Sequence, residues 1–326
     1  MNCNYCEFRC QMPNSLCKMY EEKDGQIVEK YPHKWSSYHP NATESIPIYH
    51  ALPNCQMMEV GSFNCNANCA YCINARVATI PENGLFLFDF TPERLAEMTA
   101  KSGCAGIHFG VNEFVVSLPS VLAAAAAASR LGLLVGGSSN GFMTPEAAEL
   151  IAAKFSYLNI SLKSFSSEYY QKYTGLPSVE PILRNIKYFA DKLHLEITTP
   201  VVQGLNDHEL PAITEFLAGV NPNIAWHIFR LQPQYKMEGR VPPDINELTV
   251  LVEKARQKLP FTYFSNFIGS PLDNTICPVC GEILMERICR SSCGAVLLDN
   301  YLNADNRCAR CGYQFPLADL NKGGQK

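Results

Sequence analysis

Cys65-Asn66-Ala67-Asn68-Cys69-Ala70-Tyr71-Cys72 carries three thiols at C-x3-C-x2-C spacing. Thiolates are the ligands of iron–sulfur clusters, and a cubane of four irons takes four of them. A local run of three leaves one iron without a protein ligand. An open metal position can bind substrate, as it does in catalytic metal sites. A zinc knuckle and three unrelated buried thiols are the alternatives that the residues alone leave standing. The run Met57-Met58-Glu59-Val60-Gly61-Ser62-Phe63 comes just before and reads as a strand, so the thiols fall in the loop that follows it.

The chain holds fifteen cysteines, and they cluster. Cys3, Cys6, Cys10 and Cys17 form a second group, whose four thiols could close a zinc site or hold a whole auxiliary cluster. Cys277-Pro278-Val279-Cys280-Gly281 and Cys308-Ala309-Arg310-Cys311-Gly312 are paired C-x2-C-G turns. Two such knuckles signal a zinc ribbon or a rubredoxin-like iron site, with zinc favoured. Cys289 and Cys293 lie between the knuckles and read as spare thiols, while Cys55 and Cys104 stand apart.

Composition narrows the class. Hydrophobic residues make up 47% and charged residues 18% of 326, as in soluble globular chains. A net charge of −4 and a pI near 6.0 give no sign of nucleic-acid binding. No apolar stretch is long enough for a membrane span, and Met1-Asn2-Cys3-Asn4 opens no signal core. A cytoplasmic protein is expected, where thiols stay reduced and serve metals rather than disulfides.

The positioning elements alternate in type. Thr91-Pro92-Glu93 starts a helix running to Lys101, with Thr as N-cap. Strand 105–109, a helix from Pro119 to Arg130, strand 133–137, helix 144–154 and strand 157–161 follow. Helix 181–192, strand 195–199, a helix from Asn206, strand 225–229 and helix 244–258 complete the series. Short apolar runs alternating with helices argue for a parallel α/β sheet. Six such repeats predict a partial (β/α)6 barrel over residues 55–270. A cysteine-rich segment, residues 1–54, precedes it, with 18–54 an irregular wrap. Residues 271–326 form a zinc-ribbon-like module. Parallel sheets bind ligands at the carboxyl ends of their strands, where the cysteine loop falls. His108, His194 and His227, in or beside strands, read as satisfied core residues.

The order of motifs resembles the radical S-adenosylmethionine (SAM) superfamily. Within it, the chain is similar to the radical SAM enzyme of the AmmeMemoRadiSam system, a relative of the activating enzymes of glycyl-radical proteins. The likeness spans the cysteine-rich leader, Cys65–Cys72, Asn112-Glu113, Ser139-Asn140-Gly141, Leu162-Lys163, His194-x-Glu196 and the terminal ribbon. It implies that Cys65, Cys69 and Cys72 hold a [4Fe-4S] cluster whose open iron binds SAM. It implies that Asn112 and Glu113 hold the SAM amino group, that Ser139 and Asn140 line ribose and methionine, and that Lys163 meets the carboxylate. Two departures stand out. Phe114 replaces a proline after the Asn-Glu pair. Ser138 and Ser161 replace aspartates that accompany a monovalent cation in the activating enzymes, so no cation site is expected.

The resemblance further implies reductive cleavage of SAM to methionine and a 5′-deoxyadenosyl radical, which abstracts hydrogen from a protein, peptide or small molecule. It implies a reductase or ferredoxin-type electron donor. A non-catalytic iron–sulfur and zinc scaffold is the rival reading. It leaves Asn112-Glu113 and Ser139-Asn140 unused, and SAM cleavage separates the two.

Overall fold

The polar stretch before the first apolar run forms strand β1 (Ser37–Ala42), and the apolar runs between helix signals become β2 (Gln56–Gly61), β3 (Gly106–Phe109), β4 (Leu134–Ser139), β5 (Tyr157–Ser161), β6 (His194–Val201) and β7 (Ala225–Arg230), followed by β8 (Thr262–Phe264). The computed structural model describes residues 1–78, 88–290, 294–318 and 320. The eight strands make one open sheet in the order β8-β7-β6-β5-β4-β3-β2-β1. From β2 to β8 every pairing is parallel. β1 runs antiparallel to β2, with Ser37 opposite Gly61. Gly136 admits its neighbour: a Cβ there would lie 2.2 Å from the Tyr157 ring.

Seven helices are described: α1 (Pro92–Lys101), α2 (Leu118–Arg130), α3 (Pro145–Ala152), α4 (Ser167–Thr174), α5 (Glu180–Ala190), α6 (Leu210–Val220) and α7 (Ile245–Arg256). Their starts follow the sequence. Thr91 accepts from the Arg94 N–H, Thr144 from Ala147, and Asp244 from both Asn246 and Glu247. Alanines 124, 125 and 128 of α2 are fully buried with Ile107, Leu158 and Ile197 of the strands. Each such aliphatic strand residue contributes about 1.5–3 kcal/mol by burial.

The structure extends the expected barrel. Its parallel run has a seventh strand, the three-residue β8, and α4 fills a stretch in which no helix was expected. The expected irregular wrap over 18–54 contains β1 and a hairpin pairing Tyr20–Lys23 with Gln26–Glu29. Asp24 and Gly25 turn that hairpin at φ of 51° and 73°, the two left-handed positions that a tight type I′ turn requires.

Beyond the sheet, β9 (Thr275–Ile276), β10 (Ile283–Ile288) and β11 (Val296–Asn300) form a three-stranded antiparallel sheet. Its Leu284 and Met285 are buried with Ala225, Phe261 and Tyr263. Ala225 begins β7 and Phe261 precedes β8, so this module covers the amino ends of the strands. Arg287 completes the seam, its guanidinium 4.2 Å above the Tyr49 ring and donating to the Tyr49 carbonyl.

Candidate functional site

The cysteine loop leaves the carboxyl end of β2, and a residue from beyond β3 holds it there. The Asn112 amide donates to the Ser62 hydroxyl (3.0 Å) and to the carbonyls of Phe63 (3.0 Å) and Asn64 (2.6 Å). Its oxygen accepts from the Ser62 N–H at 3.0 Å. This amide is thus committed to shaping the entry to the thiol loop. Farther along, Asn68 and Ala70 donate their N–H groups to the carbonyls of Thr174 and Tyr173. Those carbonyls end α4, where a helix leaves acceptors unmatched. Tyr71 is buried and accepts a hydrogen bond from the Tyr169 hydroxyl at 3.2 Å.

Around the loop stand the polar residues singled out in the sequence. Glu113 is 3% exposed. Its carboxylate accepts from the N–H of Asn140 (2.6 Å), from the Ser139 hydroxyl (3.0 and 3.1 Å) and from the N–H of Val115 (3.3 Å). Burial nevertheless pushes its pKa up to about 7, against those donors and the Lys163 charge. The Asn140 amide donates to the Asn66 side chain at 2.7 Å, and its oxygen accepts from the Phe142 N–H. Lys163 follows β5 and is buried at 9% exposure. Tyr170 and Asn206 fix its backbone, at 2.9 and 2.6 Å.

The thiols need opposing charge. Burial raises the pKa of Cys65, Cys69 and Cys72 above that of an ordinary thiol. The Lys163 ammonium pulls Cys69 and Cys72 back toward the thiolate. The Ala67 N–H donates to the Cys65 sulfur at 3.3 Å. A bound cluster would supply more positive charge and keep these thiolates deprotonated.

The structure therefore brings Cys65, Cys69, Cys72, Glu113, Ser139, Asn140 and Lys163 to one face, with Asn112 behind the loop. Sequence reasoning passed over Asn66, Tyr170 and Asn206. Asn66 sat in view inside the cysteine motif; the other two depend on contacts that spacing does not reveal. The three histidines are satisfied as expected. His108 bonds Tyr157 (3.1 Å) and Ser138 (3.0 Å), while His194 and His227 both donate to Glu196, at 2.8 and 2.7 Å.

The other clustered cysteines form two further groups. Cys3, Cys6, Cys10 and Cys17 line one cavity. Cys277, Cys280, Cys308 and Cys311 have all their sulfurs within 4.8 Å of one another. Cys289 is buried in that module, and Cys293 lies outside the described residues.

Three cysteine-loop thiols at a strand end thus lie beside a buried lysine and a buried glutamate. Residues 60–217 match the model of the Radical SAM superfamily, and the chain carries a domain of that superfamily. An uncharacterized protein of Methanocaldococcus jannaschii is 26% identical over 329 residues, covering 97% of this chain and 95% of its own length. A probable GTP 3′,8-cyclase of Methanosarcina acetivorans is 26% identical over 163 residues, 47% of either chain. A domain of pyruvate-formate lyase-activating enzyme from Bacteroides vulgatus is similar at a TM-score of 0.40 and 20% identity, over 48% of this chain and 93% of its own. A radical SAM domain implies an enzyme of SAM cleavage with a [4Fe-4S] cluster, and three half-buried thiols beside a cation suit it. Among the described residues, no helix is long and apolar enough to cross a membrane.

Proposed function

We propose that this chain activates or modifies a protein or peptide by radical chemistry, as a cytoplasmic oxidoreductase of the kind that its motif order resembles. The cluster on Cys65, Cys69 and Cys72 would supply one electron to bound SAM, whose C5′–S bond breaks to give methionine and a 5′-deoxyadenosyl radical. The chain's own residues bind and orient SAM. Lys163 pairs with its carboxylate, Glu113 accepts from its ammonium, and Asn140 bonds the ribose or carboxylate. Ser139 orients Glu113. Asn112 serves the reaction through the loop that it holds. A reductase or ferredoxin-type protein delivers the electron, and zinc fills the ribbon.

One observation carries this reading: the charge of Lys163 acts on Cys69, Cys72 and Glu113 together. An isolated electron-transfer site has no use for a buried cation and carboxylate beside three thiols. Anaerobic reconstitution followed by dithionite and SAM tests it. Formation of 5′-deoxyadenosine supports the reading; a reduced cluster that leaves SAM intact favours the scaffold.

A further inference from the structure

We propose that Cys3, Cys6, Cys10 and Cys17 hold a second iron–sulfur cluster, a cubane in which every iron has a protein thiolate. Four thiols alone do not settle the metal; their arrangement does. The leader folds back on itself, with the Cys3 N–H donating to the Cys10 carbonyl at 2.9 Å and Arg9 N–H to Cys6 at 3.0 Å. Arg9 and Lys18 turn the chain at φ of 43° and 59°. All four cysteines consequently line one cavity, with Val115 and Val116 as apolar walls. No histidine or carboxylate lines it, so the donor set is thiolate alone.

Spacing then separates a cluster from a single ion. A tetrahedron with metal–sulfur bonds of about 2.3 Å puts its sulfurs about 3.8 Å apart. Among the described residues, only the ribbon gathers three or more such ligand atoms within 4.8 Å. No three of the leader thiols gather within 4.8 Å of one another, though all four face the same space. A cubane asks for that, because each thiolate sits on a different iron. Cys65, Cys69 and Cys72 likewise do not gather within 4.8 Å as a set.

The cavity also backs onto the thiol loop. Asn66 lines it and lies within hydrogen-bonding reach of Cys6. The Asn64 amide donates to the Cys17 carbonyl at 2.8 Å, and Cys6 pairs with Met143 in a β-bridge. One asparagine thus separates the two sets of thiols. A fully ligated cluster has no open iron for substrate; it accepts and passes on one electron, here from a low-potential one-electron donor. The site does not depend on SAM cleavage.

The test uses the full chain with Cys65, Cys69 and Cys72 all changed to Ala, reconstituted anaerobically with ferrous iron and sulfide. About four irons and four acid-labile sulfides should remain, against about eight of each in the parent. Dithionite should give the electron paramagnetic resonance signal of a reduced cubane. Adding Cys10→Ala and Cys17→Ala should remove the remaining sulfide. Sulfide is the deciding count, since iron in a four-cysteine ribbon brings none. A triple variant without sulfide, or with zinc in the leader, overturns the proposal. So does sulfide that survives the leader substitutions. Loss of SAM cleavage in the triple variant leaves this result legible.

Discussion

Two regions each bring four cysteines to one place. In the ribbon, Cys277 and Cys311 stand 3.6 Å apart and Cys280 and Cys308 3.7 Å apart, close to the edge of a tetrahedron around one ion. In the leader, four thiols face a shared cavity without any three of them gathering within 4.8 Å. The local backbone explains the difference. Each ribbon turn closes tightly, with the Gly281 N–H on the Cys277 carbonyl (3.0 Å) and Gly312 on Cys308 (2.9 Å), both glycines at left-handed φ. The leader spreads its cysteines over irregular turns. Ligand number alone is therefore a poor guide to the metal; the tightness of the turn decides how far apart the sulfurs stand.

The largest effect should come from the thiol loop. Changing Cys65, Cys69 and Cys72 together to Ala should abolish 5′-deoxyadenosine formation and leave ribbon metal in place. Activity surviving in that variant, followed by chromatography of the nucleoside, would break the division of labour between tight and wide sites.

Next comes the ribbon. Cys308→Ser with Cys311→Ser should remove its metal and cost more than ~4 kcal/mol, the range of lost metal sites. Cluster sulfide should be unchanged. Urea unfolding with zinc and iron analysis checks this in the full chain, because an excised ribbon would expose Leu284 and Met285. Equal stability with and without metal would remove its structural role.

Glu113→Ala should weaken SAM binding by ten- to a hundredfold at equal iron content, equivalent to ~1.5–3 kcal/mol for a lost charge-assisted hydrogen bond. It also strands the N–H groups of Asn140 and Val115. Glu113→Gln removes the charge and keeps one acceptor oxygen, but turns its NH2 toward the N–H of Val115 or Asn140, and it should weaken binding too. Parent-like SAM affinity in both variants would reduce Asn112-Glu113 to a scaffold of the loop.

The seam under the ribbon predicts a pH effect. Burial holds His50 and His227 below the ordinary imidazole value, and His108 at about 4. Glu196 is also buried, yet His194 and His227 hold its carboxyl well below the usual carboxylate range. Each of these groups binds fewer protons folded than unfolded and so favours the fold at higher pH, whereas Glu113 and Asp273, both pushed up to about 7 by burial, act in the opposite sense. The imidazole contribution is present above an unfolded pKa of about 6.5 and is lost as pH falls below it, while that of Glu196 is lost only below an unfolded carboxylate pKa of about 4.3. With Glu113→Gln and Asp273→Asn removing the opposing carboxyls, the unfolding free energy from urea titration should drop between pH 7.5 and 5.5 by about 1 kcal/mol for each buried imidazole. Metal counts on the same samples separate this from loss of ribbon metal. A level free energy would mean that the imidazoles accept protons inside the fold.

The smallest effect belongs to Cys104→Ala. Cys104 is buried in the main core just before β3, away from all three thiol groups. SAM affinity and sulfide content should match the parent; a change in either would enlarge the set of working thiols.

Much of this was legible in the residue order. Strands β2 to β7 are apolar runs flanked by Thr-Pro caps or glycines, and those signals are local. β8 escaped notice because three residues show no period. Helix α4, Ser-Glu-Tyr-Tyr-Gln-Lys-Tyr-Thr, is too polar to display an apolar face. The leader hairpin hid among charges, although Asp24-Gly25 is a hairpin signal. Glu113 and Lys163 could be placed at strand ends by counting. The engagement of Asn112 with residues 62–64 could not, since it joins parts of the chain fifty residues apart. Neither could the shared leader cavity, which depends on tertiary closure.

The flanks of the sheet have a consequence for crowding. A long parallel sheet that stopped at β2 would offer another copy a six-residue ladder of backbone donors and acceptors. Instead, β1 lies across that flank with reversed direction and carries Pro40, a residue that cannot donate to a further strand. The opposite flank, β8, is three residues long. Short or proline-bearing borders discourage strand-to-strand joining between molecules. The segment that carries the leader cysteines thus also acts as a selvedge, finishing the cloth so that it does not knit to its neighbour.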